Sequence, residues 1–426
     1  LLAVVLTAQA ALAAVTFGAR QAIPGNYAYN YSNSLDYTGT PGTSGFRLHE
    51  AFVTDATEPA RAMYTRSQDG ISWSKPKKVS GSANAEGSSL AAAGDTVIVG
   101  WMTGYSYYDP DGAYRRVQVN VSTDRGATWA GVTNLSSAKG FVDYPIVAAS
   151  VVGSSENVYA VWVNSNSGKV LFRQSTDGGA WSAPISLGTT TAHVEGADFG
   201  YAGYANIAAV GDLISVVWVS ADDGTMKVRS IDAAGNPAAP ATLANWKTAV
   251  TLTDKISIAQ NGWPIASASP LNPGVVTIAY NTATAQKYTT FTGGASATAA
   301  GTLIWTNGTL GSVTYAGGYS TAVEPAPGGG FVAMWGACRD VGITNPCNYD
   351  SVKAKFDLLV STSADGTTWH GPTRIEASST SQVLNDEPSM VVVGDPSGVK
   401  VFAQYNAYNS KYTYYDVWMK IGTGSL

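Results

Sequence analysis

The chain has 426 residues, 45% apolar and 13% charged, about half the charged share of an ordinary globular protein but apolar enough for a core. That pairing excludes a disordered chain and a Lys/Glu/Leu-rich helix bundle, while 46 Gly, 23 Tyr and 12 Trp favour short strands joined by tight turns. The net charge is −5 and no Lys/Arg run exceeds two, so the electrostatic footprint of a nucleic-acid or anionic-membrane binder is missing.

Residues 1–14 are almost wholly apolar, and Ala8-Gln9-Ala10 and Ala11-Leu12-Ala13 offer small-residue cleavage sites. They are expected to be the tail of a truncated secretory signal peptide whose initiator Met and basic region precede Leu1, the alternative being a short buried strand. This stretch is too short to span a bilayer and no later window is apolar enough. The expected protein is therefore exported, extracellular or periplasmic, without a membrane span, with residues 15–426 forming one domain.

Along that domain a turn recurs. It reads Ser67-Gln68-Asp69-Gly70-Ile71-Ser72-Trp73, then Ser122-Thr123-Asp124-Arg125-Gly126-Ala127-Thr128-Trp129, then Ser175-Thr176-Asp177-Gly178-Gly179-Ala180-Trp181, and finally Ser363-Ala364-Asp365-Gly366-Thr367-Thr368-Trp369, with a worn copy at Ser230-Ile231-Asp232-Ala233-Ala234-Gly235. Ser and Asp accept hydrogen bonds from turn amides, Gly takes a positive φ, and Trp caps the turn with an apolar face. A second series marks strands that end on an aromatic residue: Phe52, Trp101, Trp162, Trp218, Tyr280, Trp335 and Tyr405, at spacings of 49, 61, 56, 62, 55 and 70. Within one unit, Tyr144–Val151, Val158–Asn164, Lys169–Thr176 and Ala183–Leu187 read as four strands. Four-stranded antiparallel sheets that cannot bury both faces alone stack radially. The expected fold is all-β, a β-propeller of seven such blades, with six if the irregular first unit, whose inner strand is placed at Tyr27–Asp36, is not a blade. The last unit shows only Pro388–Gly394, Val399–Tyr408 and Tyr412–Ile421, so Val15–Ile23 is expected to close the ring as its fourth strand.

The Ser-x-Asp-x-Gly-x-Thr-Trp turn, complete at 122–129, resembles the Asp-box, or bacterial neuraminidase repeat, of sialidase-like β-propellers. The resemblance implies that the boxes lie between third and fourth strands, away from the ligand face. Ser67, Asp69, Trp73, Ser122, Asp124, Trp129, Ser175, Asp177, Trp181, Ser363, Asp365 and Trp369 are then structural. It also implies that a sialidase site would need three arginines on the substrate carboxylate, a tyrosine nucleophile with a glutamate, and an acid. A guanidinium fork meets a carboxylate through two charge-assisted bonds that lysine cannot copy. Yet Arg61, Arg66, Arg116, Arg173 and Arg229 read as third-strand residues, Arg125 lies in a box and Arg374 in a fourth strand. Phe46-Arg47-Leu48-His49 is similar to the family's Phe-Arg-Ile-Pro motif but lacks the Pro and falls in a second strand.

Ligand-binding residues are therefore sought in loops. Thr103–Arg115 carries Tyr105, Tyr107, Tyr108, Asp109, Asp111 and Tyr114, aromatic faces beside acceptors that suit a sugar, or else a decorated solvent hairpin. Asp109-Pro110-Asp111-Gly112 is set aside as a calcium loop for want of further acids nearby. Thr189–Tyr204 carries His193, Glu195, Asp198 and Tyr201, and Gly336–Lys353 carries Arg339, Asp340, Tyr349 and Asp350. Cys338 and Cys347 are expected to pair in an oxidising compartment. With two thiols and three His, no metal and no cofactor is expected. Asp143, Glu195, Glu324 and Glu387 are the carboxylates from which a glycosidase pair could come, with Glu324 and Asp386-Glu387 placed near the starts of inner strands. No Gly-x-Ser-x-Gly elbow supports a His193 triad. The leading reading is a carbohydrate- or surface-recognition module with a glycan or cell-surface polysaccharide as partner. The alternatives are a sialidase or related glycoside hydrolase with a diverged site, and a cell-envelope propeller with a protein partner.

Overall fold

The computed structural model describes residues 15–23, 30–54, 59–103, 115–137, 142, 145–164, 166–190, 205–220, 225–256, 264–271, 274–282, 284–292, 301–306, 308–342, 344, 355–379, 382–395, 398–409 and 414–424. Two short strands, β1 (Thr16–Phe17) and β2 (Gln21–Ala22), open the chain. Blade 1 follows as β3 (Asn30–Thr38), β4 (Arg47–Thr54), β5 (Arg61–Ser67) and β6 (Lys77–Lys78), and blade 2 as β7 (Ala85–Ala93), β8 (Thr96–Thr103), β9 (Arg116–Ser122) and β10 (Thr133–Asn134). Blade 3 is β11 (Ile146–Val152), β12 (Ser155–Asn164), β13 (Lys169–Thr176) and β14 (Ile185–Thr189); blade 4 is β15 (Ala205–Val210), β16 (Leu213–Val219), β17 (Thr225–Asp232) and β18 (Val250–Lys255). Blade 5 comprises β19 (Ile265–Ala268), β20 (Val275–Asn281), β21 (Ala285–Thr292) and β22 (Thr302–Thr306). In blade 6 a short β23 (Gly308–Leu310) precedes β24 (Val313–Pro325), β25 (Phe331–Arg339), β26 (Phe356–Ser363) and β27 (Trp369–Glu376). Blade 7 is β28 (Gln382–Asp395), β29 (Gly398–Asn409) and β30 (Tyr414–Gly424), completed by β1 and β2, which pair antiparallel with β30.

The ring therefore has seven blades and is closed by the N-terminal strands, as the repeat predicts. Its core is not central. Seven apolar clusters each join two neighbouring blades, ending with the one that binds Leu35, Phe46 and Leu48 of blade 1 to Val391, Phe402 and Met419 of blade 7. All seven aromatic anchors stand on second strands and are at most 2% exposed, each worth about 1.5–3 kcal/mol of burial or more. The expected inner strand of blade 1 is shifted: it runs from Asn30 to Thr38, and 24–29 lie outside the described residues.

Inner strands leave one edge unpaired, and a buried backbone donor needs a partner. Side chains supply it across the seams. Ser389 Oγ accepts from Leu35 N at 3.1 Å, Asp36 Oδ2 from Ala92 N at 2.7 Å, Ser89 Oγ from Val147 N at 3.1 Å and Asn206 Oδ1 from Ala266 N at 3.3 Å. Each stitches one blade to the next.

The recurring turns join third to fourth strands. Asp69 accepts from Ile71 N and Ser72 N at 2.8 and 2.7 Å, Asp124 from Thr128 N and Oγ1 at 2.8 and 2.6 Å, and Asp365 from Thr367 N and Thr368 N at 2.8 and 2.7 Å. The turn glycines press on the preceding blade. A Cβ on Gly126 would fall on the Tyr64 hydroxyl, one on Gly366 on Tyr288 and on Phe331 of its own blade, and one on Gly70 on Phe402. Trp129 meets Tyr64 edge-on at 4.9 Å and Trp369 meets Tyr288 at 5.4 Å. The copy at 175–181 differs from expectation. Asp177 and Gly178 both take positive φ, with Gly179 N bonded to Thr176 O, a two-residue turn in which the Asp177 carboxylate instead accepts from Glu156 N at 2.8 Å. In the worn copy, Asp232 accepts from Ala234 N at 2.9 Å.

Candidate functional site

Antiparallel connectivity sorts the loops. First-to-second and third-to-fourth connections share one face with the Asp turns; second-to-third and inter-blade connections share the other, called the loop face here. The inner strands around the axis hold no Lys or Arg, yet they carry Asp36, Glu86, Glu324, Asp386, Glu387 and Asp395. Their pairing is regular in blades 3, 4 and 5. In blades 6, 7, 1 and 2 it is broken, at Tyr315/Gly317 and Tyr319/Thr321, at Gln382/Leu384 and Asp386/Ser389, at Tyr31/Ser34, and at Glu86/Ser89. Such bulges re-aim side chains and gather next to functional sites. Glu86, Asp386 and Glu387 stand in the broken stretches, towards the loop face.

The second concentration on the loop face lies on blades 5 and 6. Trp305, near the end of β22, is partly exposed; its ring is 5.7 Å from Trp335 and 5.9 Å from Tyr315, edge-on to the latter. Tyr315 donates to Asp357 at 2.7 Å. Asp357 is buried and also receives Arg339 at 2.7 Å, Arg374 at 3.5 Å and the Ser378 amide at 2.8 Å. Burial works against the charged carboxyl, but Arg339 and these donors hold it below the usual carboxylate range. At the neighbouring blade 4/5 seam, Asp254 takes Tyr280 at 2.7 Å and Lys287 at 3.1 Å.

Towards the turn-face end of the axis, β3 carries Asp36 and Tyr37 and β24 carries Glu324. Burial pushes Asp36 up to about 7, against the amides of Tyr37 and Ala92. Glu324 is raised as well, by burial and by Asp36, with Ser267 opposing. Glu324 is the last residue but one of β24, so its expected place near the start of an inner strand is corrected: the preceding bulged strand is thirteen residues long and carries it to the far end of the channel.

The sequence-picked residues divide. Tyr105, Tyr107, Tyr108, Asp109, Asp143, Glu195, His193 and Cys347 lie outside the described residues. Cys338 is buried and disulfide-bonded. Arg339 ends β25 with its side chain 20% exposed and its guanidinium committed to Asp357. Arg61, Arg66, Arg116, Arg173 and Arg229 do stand on third strands and Arg374 on a fourth. Arg47 opens β4 at the turn face and donates to Ser44 O and Phe46 O. His49 is fully buried between Thr38 Oγ1 and Tyr64 Oη, at 2.9 and 2.7 Å, and burial, then Arg66, hold it down at about 3. Trp305, Tyr315, Asp357 and Glu86 were missed. The partner of Arg339 is a third-strand acid without a local motif, and only strand registration reveals it. Among the described residues no three His, Cys, Asp or Glu groups gather as metal ligands, and no helix is long and apolar enough to cross a membrane.

The chain matches no protein-family model and no curated protein. Among solved structures it is similar to a Dyadobacter fermentans protein of unknown function, at 11% identity and a TM-score of 0.51, over 96% of this chain and 98% of that one. It is also similar to the Trypanosoma rangeli sialidase in complex with sialic acid (11% identity, TM-score 0.41, 94% of this chain and 59% of that one). A fucose-specific lectin from Aleuria aurantia matches at 11% identity and a TM-score of 0.44, over 82% of this chain and 97% of that one. In fold, the chain is a seven-bladed β-propeller. Identities this low concern architecture alone, and propellers host many functions.

Proposed function

We propose that the protein is an exported sialidase-like propeller that recognises neutral glycans on its loop face and does not hydrolyse sialosides. The observation that carries this reading is the charge of the axis: the inner strands hold acids and no Lys or Arg. A sialic acid carboxylate entering there would find no guanidinium clamp on these strands. Arg339, at the loop-face end of β25, has its guanidinium committed to Asp357. Turnover of a fluorogenic sialoside is expected to equal a buffer blank, and a glycan array is expected to give signal on neutral glycans that falls on changing Tyr107 and Tyr108 to Ala. Robust sialoside hydrolysis that vanishes in Arg339→Ala would overturn the reading. Export is tested by N-terminal sequencing of protein secreted from its host; a chain still beginning at Leu1 counts against it.

A second reading, a glycoside hydrolase acting on neutral substrates, is favoured by one observation: Glu86 and Glu387 stand on bulged stretches of blades 2 and 7, which flank blade 1. Hydrolysis of neutral aryl glycosides, lost in both Glu86→Gln and Glu387→Gln, would raise it above recognition alone.

A further inference from the structure

Blades 7 and 1 are the last and first along the chain, so the seam between them is the one that closes the ring. Most of it is apolar, with Leu35, Phe46 and Leu48 meeting Val391, Phe402 and Met419. Glu50, in the middle of β4, stands in this packing fully buried. The register sets it opposite Leu35 on β3 and Thr65 on β5, and strand alternation puts it on the face of Leu48, towards blade 7. There Gln404 Nε2 of β29, also fully buried, donates to Glu50 Oε1.

That contact is half made. Glu50 Oε2 and Gln404 Oε1 are both buried with no donor to either among the described residues. Two acceptors cannot satisfy each other, and a buried polar group left unpaired costs its full desolvation. An ionised carboxylate in such a place would need a cation or several donors. The elements around it supply neither. Along the same faces, Arg61 at the far end of β5 is held by Ser82 O and Ala83 O, Lys400 of β29 lies over the Phe402 ring, and Tyr37 of β3 is kept neutral by burial. From β30 come Val417, Met419 and Ile421, and from β28 Val391 and Val393. His49, Asp36 and Arg66 turn the other way, to Tyr64 Oη, Ala92 N and Arg125 O.

We propose that Glu50 carries a proton and donates it to Gln404 Oε1, so that blades 1 and 7 are joined by a reciprocal acid–amide pair and closure of the ring depends on that proton. A carboxylic acid and a primary amide each offer a donor beside an acceptor in one plane. One hydrogen therefore satisfies both unpaired oxygens. Burial acts in the same direction, pushing the Glu50 carboxyl well above the ordinary value of 4.5 against the opposing Gln404 amide. A carboxyl raised in the fold contributes fully below 4.5, and its contribution is lost as pH rises through the folded value. The closing seam is thus a latch that alkali weakens, distinct from the Asp36 stitch between blades 1 and 2, which rests on main-chain amides.

The test compares the full chain with Glu50→Gln, in which an amide keeps a donor and an acceptor in the same plane but has no proton to lose. Infrared difference spectra at neutral pH are expected to show the C=O stretch of a protonated carboxyl in the wild type and its loss in the variant. Carboxylate bands lost in its place overturn the proposal. Melting temperatures followed from acid to alkaline pH are expected to decline less in Glu50→Gln, so that the variant melts above wild type on the alkaline side. Gln404→Leu, which strands the acid, is expected to melt below wild type throughout. A Glu50→Gln chain that fails to fold, or that declines with pH as steeply as wild type, also overturns the latch, because an amide reproduces the reciprocal pair.

Discussion

Asp124 on the rim and Asp36 in the channel each accept a main-chain N–H at 2.7–2.8 Å, yet their carboxyls titrate in opposite directions. The Thr128 hydroxyl and amide bring Asp124 down to about 2. Asp365 follows the same pattern, held low by the amides of Thr368 and Thr367. Burial pushes Asp36 up to about 7 despite the amides of Tyr37 and Ala92. The hydrogen bonds are alike, so the surroundings decide. At the rim water solvates the charge that the amides favour; in the channel wall, low dielectric opposes it. One motif therefore serves as a turn clamp where it is wet and as a seam stitch with a proton of its own where it is enclosed.

The largest effect on this contrast is expected from Gly126→Ala. The φ of 75° and the Tyr64 hydroxyl leave a Cβ neither conformation nor space, and strain plus overpacking should cost about 2–4 kcal/mol in denaturant melts. Asp124→Ala comes next, at about 0.5–1.5 kcal/mol, since the Thr128 amide exchanges its acceptor for water. Asp177→Ala should cost less, because its carboxylate takes a single amide, that of Glu156, and no donor of its own turn. Equal losses at 124 and 177 would show that the clamp is not what stabilises the turn.

The pH dependence sharpens the comparison. Asp124 is depressed in the fold, so its contribution is present above the ordinary carboxylate value of 3.8 and disappears as pH falls through about 2. Asp36 is raised, so its contribution is full below 3.8 and is lost as pH rises through about 7. Melting temperature should therefore peak in mildly acidic solution and decline on both sides. Asp36→Asn is expected to flatten the decline between pH 3.8 and about 7 and leave the acid limb alone; Asp124→Asn should do the reverse. The smallest effect concerns the thiols: unreduced native protein is expected to resist alkylation at Cys338 and Cys347, and modification of both would exclude their pairing.

The blades were legible because their signals are local. A Gly at positive φ, an Asp two residues after a Ser and an aromatic every 49 to 70 positions each serve a contact within one sheet or with its neighbour. The candidate site was much less so. Arg339 was visible, but not its partner Asp357, and Trp305 and Tyr315 gave no motif because their contact runs between two blades. Glu324 was read at the wrong end of its strand, since two bulges that lengthen β24 leave no mark in composition.

By itself, then, the order of residues determined the number of blades, the turns that clamp them, the strand that closes the ring and the shortage of arginine where a carboxylate clamp would stand. Short-range hydrogen bonding and burial set all of these, and both are written in side-chain type and spacing. Only the tertiary structure decided which carboxyls are enclosed and that Arg339 is spent on Asp357. Those properties depend on which blade lies beside which and at what register, so distance and dielectric, not sequence separation, govern them.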